Sequence, residues 1–238
     1  MNRTIAVFGA GTGLGAATAR RFGEEGYAVA LVARRPQRLD ALVEELGKEG
    51  IEAAAFPADL SDTAAVPALV ERITGRFGRI DVVEYAPIPT AAPMVAATQV
   101  TAELLGRLAG LYLHTPVETA RAVLPGMIER GDGAFLLGQG VSAVHPLPGM
   151  SGVGPVMAAA RNWVLSLHGE LAAHGVYAGT LSVAAWVEGS AGHLAASEAD
   201  PALAGHPTVT AAELADQYWD LYTRRDRPER VYPPLPTV

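Results

Sequence analysis

The chain has 238 residues, half of them hydrophobic and 18% charged, a balance that sustains a buried core and excludes a disordered or fibrous chain. A net charge of -7 with no basic cluster argues against nucleic acid as a partner. The absence of cysteine removes disulfides, cysteine–zinc sites and cysteine nucleophiles together.

Thr4 to Phe8 is an apolar run bounded by glycine and reads as a buried strand. Gly13 to Glu25 has helical spacing through Leu14, Ala17, Thr18, Arg21 and Phe22, and Gly26 stops it. Tyr27 to Ala33 is a second strand. Pro36 sits where a first helical turn tolerates it, and Leu39, Leu42, Val43 and Leu46 form the next apolar stripe, ended by Gly50. Ile51 to Phe56 is a third strand, Thr63 to Phe77 a third helix and Ile80 to Tyr85 a fourth strand. Beyond these the spacing predicts one long helix over Thr98 to Glu129, a strand over Ala134 to Leu137, a helix over Gly154 to His174 and a strand over Val176 to Ala185. Residues 189–209 read as a mobile excursion on the substrate side, and Ala211 to Tyr222 as a last helix. Arg224, Arg225 and Arg227, interleaved with Asp226 and Glu229, read as a solvated mixed-charge segment.

Alternation of strand and helix predicts an α/β fold, a doubly wound parallel sheet with helices on both faces. No repeat or linker divides the chain, so residues 1–238 are expected to form one domain. No secretory signal is visible, and no run approaches the roughly twenty apolar residues of a membrane span. A cytoplasmic location without membrane contact is therefore expected.

The chemistry begins at Gly9-Ala10-Gly11-Thr12-Gly13-Leu14-Gly15, between the first strand and the first helix. In that context glycines let the backbone turn tightly and approach a pyrophosphate, and the helix N-terminus stabilises its charge. The other reading is a tight turn that has lost its ligand. Arg34 and Arg35 end the second strand, where a carboxylate would bind the ribose hydroxyls of NAD. Arginine suits a 2′-phosphate instead, so NADP(H) is the expected cofactor in preference to NAD. Asp59, after the third strand, either accepts a hydrogen bond from the adenine amino group or caps the third helix, a role for which Ser61 and Asp62 compete.

Together these features resemble the short-chain dehydrogenase/reductase family, a Rossmann-type group. Gly9, Gly13 and Gly15 match its G-x-x-x-G-x-G motif, and Asp59-Leu60, Ile80-Asp81-Val82-Val83, Ala122-Val123-Leu124-Pro125 and Ala172-Ala173-His174-Gly175-Val176 also look like the family. The resemblance covers about residues 3–188. It implies a sheet of about seven strands, NAD(P)-dependent carbonyl–alcohol chemistry on a small molecule, and a homodimer or homotetramer. It also implies cofactor contacts from Gly9, Gly11, Thr12, Gly13, Leu14, Gly15, Arg34, Arg35, Asp59, Leu60 and Ala86.

The family's active Tyr-x-x-x-Lys pair falls on Val153 and Met157, and no such pair exists anywhere in the chain. Its serine falls on Gly140 and its helix asparagine near Tyr112. Its Asn-Asn-Ala-Gly becomes Glu84-Tyr85-Ala86-Pro87, and its Pro-Gly becomes Ala184-Ala185. In the family the tyrosine transfers the substrate proton, the lysine lowers its pKa and the serine orients the carbonyl. Substitutes in this chain are Tyr85, Tyr112, Ser142 and His145. Each tyrosine is either a proton donor or a packed cleft wall, and His145 is either an acid/base group or an exposed loop residue. Glu84 is either a perturbed functional carboxylate or the partner of an arginine. His114 and Glu118 share a helix face but have no third ligand, so no metal site is expected. Trp186 and Glu188 fall where the family places substrate-facing residues. Trp163, Leu165 and Leu167 read as core or helix-interface positions, and Ala158, Ala159 and Ala160 would allow close approach across a dimer.

Three functions are compatible with this pattern. One is an NADP(H)-dependent reductase with a rearranged proton donor. Another is a non-redox dehydratase, cyclase or isomerase. The third is a catalytically silent NADP(H)-binding sensor or partner subunit.

Overall fold

The computed structural model describes residues 2–87, 94–190, 193–194 and 207–235. Of the expected excursion 189–209, only 189–190, 193–194 and 207–209 lie among these residues.

Seven parallel strands form the central sheet: β1 (Thr4–Phe8), β2 (Ala28–Ala33), β3 (Ala53–Pro57), β4 (Val82–Tyr85), β5 (Gly133–Gly140), β6 (Val176–Val183) and β9 (Glu229–Tyr232). Their order is β3-β2-β1-β4-β5-β6-β9. The short strands β7 (Trp186–Val187) and β8 (Thr208–Val209) pair with each other beyond β6. Every residue of β1 is buried, as helices on both sheet faces require.

On one face lie α1 (Leu14–Glu24), α2 (Pro36–Lys48) and α7 (Ala211–Arg224), whose Phe22, Leu39, Leu46, Leu214 and Tyr218 close a core over Val7, Leu31 and Leu136. On the other lie α3 (Val66–Phe77), α5 (Thr115–Arg130) and α6 (Gly154–Leu171), with Leu69, Ile73, Met127 and Val164 packed over Phe8, Val83 and Phe135. Thr210 and Glu213 start α7 with a reciprocal capping box.

Three expectations need correction. The single helix over Thr98 to Glu129 is instead α4 (Ala102–Ala109), a π-helical turn over Gly110–His114, and α5. Thr101 caps α4 by accepting from the Leu104 N–H. Two causes interrupt the ladder beyond it. Tyr85 Oη donates to the Leu111 carbonyl at 2.6 Å, and Pro116 has no N–H to give. Next, β5 runs on to Gly140, because Gly138, Gln139 and Gly140 pair with Leu181, Ser182 and Val183 of β6.

The third correction concerns the mixed-charge segment, which is structural. Glu229 to Tyr232 form the edge strand of the sheet against β6. Arg161 grips Glu229 through two hydrogen bonds of 2.5 Å, and Arg225 pairs with Asp132 at 2.8 Å. Asp220 gathers Arg227 and, at 2.8 Å, Arg230. Charges along an edge strand also discourage pairing with another chain.

Candidate functional site

The glycine turn joins β1 to α1 at the carboxyl end of the sheet. Gly9 takes φ +112°, and a Cβ there would stand 2.9 Å from Pro87 Cα and N. Gly15 lets α1 rest on the turn, since its Cβ would lie 2.7 Å from Gly9 O. Among the described residues a Cβ on Gly11 meets only Gly9 O at 3.8 Å, and one on Gly13 meets nothing within 4 Å. Ala16 and Ala17 N–H donate to the Gly11 and Gly13 carbonyls. The N–H groups of Thr12, Gly13, Leu14 and Gly15 have no acceptor among the described residues. Open space above unpartnered N–H groups at a helix start is what a phosphate requires.

Arg34 and Arg35 follow β2, are exposed and make no ion pair among the described residues. Arg38, in the first turn of α2, is a third exposed arginine without an ion pair among them. That turn holds no acidic residue, and its cap position, Arg35, makes no side-chain cap bond. A cation at a helix start opposes the helix dipole, and this misfit is the sequence signal that sets Arg38 beside Arg34 and Arg35. Asp59 Oδ1 accepts from Ser61 N–H at 2.9 Å and Ser61 Oγ at 2.8 Å. These bonds, with nearby Arg34, hold its carboxyl below the ordinary carboxylate range. Asp59 thus shapes the turn after β3, whereas Asp62, at the cap position of the helical turn Thr63–Ala65, makes no side-chain cap bond. Leu60 is buried beside Asp59, and the Ala86 N–H donates to Phe8 O at 3.0 Å, tying the end of β4 to the turn.

The resemblance sets the family's catalytic positions at the end of β5 and the start of α6. Val153 is 1% exposed and packs with Tyr112, Val156 and Met157 in an apolar cluster. A Cβ on Gly140 would lie 3.8 Å from Ser142 Oγ and 3.9 Å from the Met157 sulfur. Ser142 is buried, and its Oγ has no hydrogen-bond partner among the described residues. It lines a cavity of about 180 Å³ together with Ala143, Leu147, Met150, Gly154 and Ala158.

The candidate substitutes separate clearly. Ser142 reaches the space left by Gly140. Tyr112 is buried beside Val153 and Val156, and burial raises the pKa of its hydroxyl. Tyr85 is a core residue, 1% exposed, packed on Phe8 and bonded to Leu111 O; its hydroxyl holds the π turn. His145 is exposed and is not among the cavity-lining residues.

Glu84 has no arginine partner among the described residues. It is 1% exposed on β4, both its carboxylate oxygens are unpartnered among those residues, and burial pushes its pKa up to about 8. His114 is exposed, Glu118 pairs with Arg121 at 2.7 Å, and no group of three metal-ligating side chains occurs among the described residues. Trp186 is half-buried and Glu188 exposed. Trp163 packs edge-on against Phe135, Leu167 lies beside the same core, and Ala160 is itself a core residue. No helix among the described residues is long and apolar enough to cross a membrane.

Residues 3–185 match the short chain dehydrogenase family, and the chain belongs to it. It is similar to a fatty acyl-CoA reductase of Mycobacterium tuberculosis, with 31% identity over 237 residues, covering 97% of this chain and 76% of that protein. Among solved structures, a metagenomic short-chain oxidoreductase in complex with NADP superposes with a TM-score of 0.79 at 24% identity, over 98% of each chain. L-sorbose reductase from Gluconobacter frateurii, complexed with NADPH and L-sorbose, superposes with a TM-score of 0.80 at 22% identity, over 98% of this chain and 95% of that one.

Proposed function

We propose that this chain is an NADP(H)-binding member of the family in which cofactor binding has outlasted the family's proton relay. Its nominal chemistry is carbonyl–alcohol exchange on a small molecule, carried at most slowly. The observation that carries this reading is the contrast between the glycine turn after β1 and the residues at the end of β5 and the start of α6. The cofactor side keeps its glycine turn, N–H groups without acceptors and arginines without ion pairs among the described residues, suited to a 2′-phosphate. The catalytic positions hold a buried Val153, Met157 and Gly140.

When bound, the nicotinamide exchanges hydride with a substrate carbon. The chain must then hold that substrate and move a proton at its oxygen. Val153 and Met157 have no proton to move. Ser142 is the one buried hydroxyl beside Gly140 among the described residues, and it is free to orient an oxygen. This favours residual reductase activity over complete silence.

General acid catalysis is worth about 10²–10⁴ in rate. NADPH oxidation across a panel of aldehydes and ketones should therefore run at least about 10²-fold slower than in a relative with the Tyr–Lys pair. Ser142→Ala should abolish what remains, and His145→Ala should leave it unchanged. Turnover at the rate of such a relative would overturn the proposal. Total silence with intact NADPH binding would leave the chain a sensor or a partner subunit.

A further inference from the structure

Glu84 stands two residues before Ala86, and its neighbour in β1, Val7, stands two residues before Gly9. It therefore lies about 7 Å down the strand from the floor of the glycine turn, at about 3.3 Å per residue. Its flanks are Val7 and Leu136. From α7, Tyr218 reaches in over Gly138 and Ala86: its hydroxyl fills the space that a Cβ on Gly138 would need, and Ala86 Cβ borders the same space at 2.6 Å. The Tyr218 hydroxyl is fully buried, unpartnered among the described residues, and electrostatically coupled to Glu84. On α1, Thr18 contributes another buried, unpartnered hydroxyl, which is uncharged. A charge on Glu84 raises the pKa of the Tyr218 hydroxyl, and no cation among the described residues offsets the burial of Glu84.

We propose that Glu84 is a positioning residue that links a proton to cofactor binding: its neutral acid form is accommodated in the apolar floor under the glycine turn, beneath Tyr218 of α7, and its ionised form opposes the dinucleotide. The inference rests on the NADP(H) reading above. Two couplings act in the same direction. A pyrophosphate above the turn is a like charge to an ionised Glu84 across an apolar interior, and each disfavours the other. An ionised Glu84 also requires hydration or donors, and Tyr218 stands over the same part of the sheet, so solvating Glu84 disturbs the α7 contact over Ala86 and Gly138. By linkage, a ligand that raises the affinity for a proton must bind more tightly when the proton is present. Burial places the titration near pH 8.

The test is calorimetric titration of NADPH into the whole protein at about pH 7 and about pH 9, each in two buffers of different ionisation enthalpy. The wild type should lose about tenfold in affinity at the higher pH and take up a proton on binding between the two. Glu84→Gln, which keeps the shape and cannot ionise, should bind with little pH dependence and without proton uptake. Proton uptake by the wild type supports the inference even if the variant folds poorly. Binding by the wild type that is equally tight at both pH values, with no uptake, overturns it and leaves the cofactor reading standing. No binding at either pH overturns both.

Discussion

Glu84→Gln should stabilise the protein, and more so as pH rises. A carboxyl whose native pKa is raised from 4.5 to about 8 holds its proton in the folded state and loses it in the unfolded state throughout that window. Unfolding then releases a proton, so stability falls as pH climbs, by about 1.4 kcal/mol per unit, and the loss is complete above the native pKa. At pH 7 the accumulated cost is about 3 kcal/mol. A glutamine avoids that cost and retains the volume, though it leaves amide donors buried in place of an acid proton. The variant should melt about 6–12 °C higher at pH 7, at about 2–4 °C per kcal/mol for a chain of this length. Near pH 4.5 the two proteins should melt together. Thermal denaturation from pH 5 to 8 checks this, and parallel curves for wild type and variant would show that Glu84 is not a buried neutral acid.

Gly9→Ala should be the most damaging single methyl in the glycine turn. Two costs add. The backbone holds φ +112°, where an L side chain is disfavoured by about 1–2 kcal/mol. The methyl would also enter space held by the Pro87 backbone at 2.9 Å, and overpacking against backbone costs about 1–3 kcal/mol more. A loss of about 2–5 kcal/mol corresponds to about 4–20 °C in melting temperature. Gly13→Ala provides the contrast, because nothing lies within 4 Å of its added Cβ. That variant should melt as the wild type does and lose NADPH affinity, its methyl standing where the phosphates approach. Loss of stability in both, or in neither, would contradict the division of labour between the two glycines.

Features written in consecutive residues are legible in the amino-acid sequence itself. The turn at Gly9 to Gly15 and the order of the first four strands follow from local patterning, because tight turns and buried parallel strands each have a composition of their own. Features set by distant contacts are not legible in this way. The π turn at Gly110–His114 depends on Tyr85 reaching Leu111, which no local period encodes. The edge strand β9 has the composition of a solvated segment, and its pairing with Thr180 to Val183 and its grip by Arg161 are tertiary facts. In the site, the sequence holds no Tyr-x-x-x-Lys pair, and the resemblance sets the family's Tyr, Lys and Ser positions on Val153, Met157 and Gly140. That Ser142 reaches the vacated space, that Tyr85 is core and that Glu84 stands alone are consequences of the fold. The sequence leaves two alternatives for Glu84, and no arginine partners it among the described residues.

On the reading proposed above, the chain should hold NADP(H) in a cradle completed by Arg34. Thermal melting with NADPH or NADH, before and after Arg34→Ala, tests it most directly. At a free concentration about 100 times Kd, a ligand stabilises the fold by about 2.7 kcal/mol, or about 5–11 °C here. NADPH should produce that shift, and NADH a smaller one at the same concentration. Arg34→Ala should reduce the NADPH shift to the NADH level, because a charge-assisted contact worth about 1.5–3 kcal/mol is lost. An unchanged melting temperature with both nucleotides, or NADH matching NADPH in the wild type, would contradict the account.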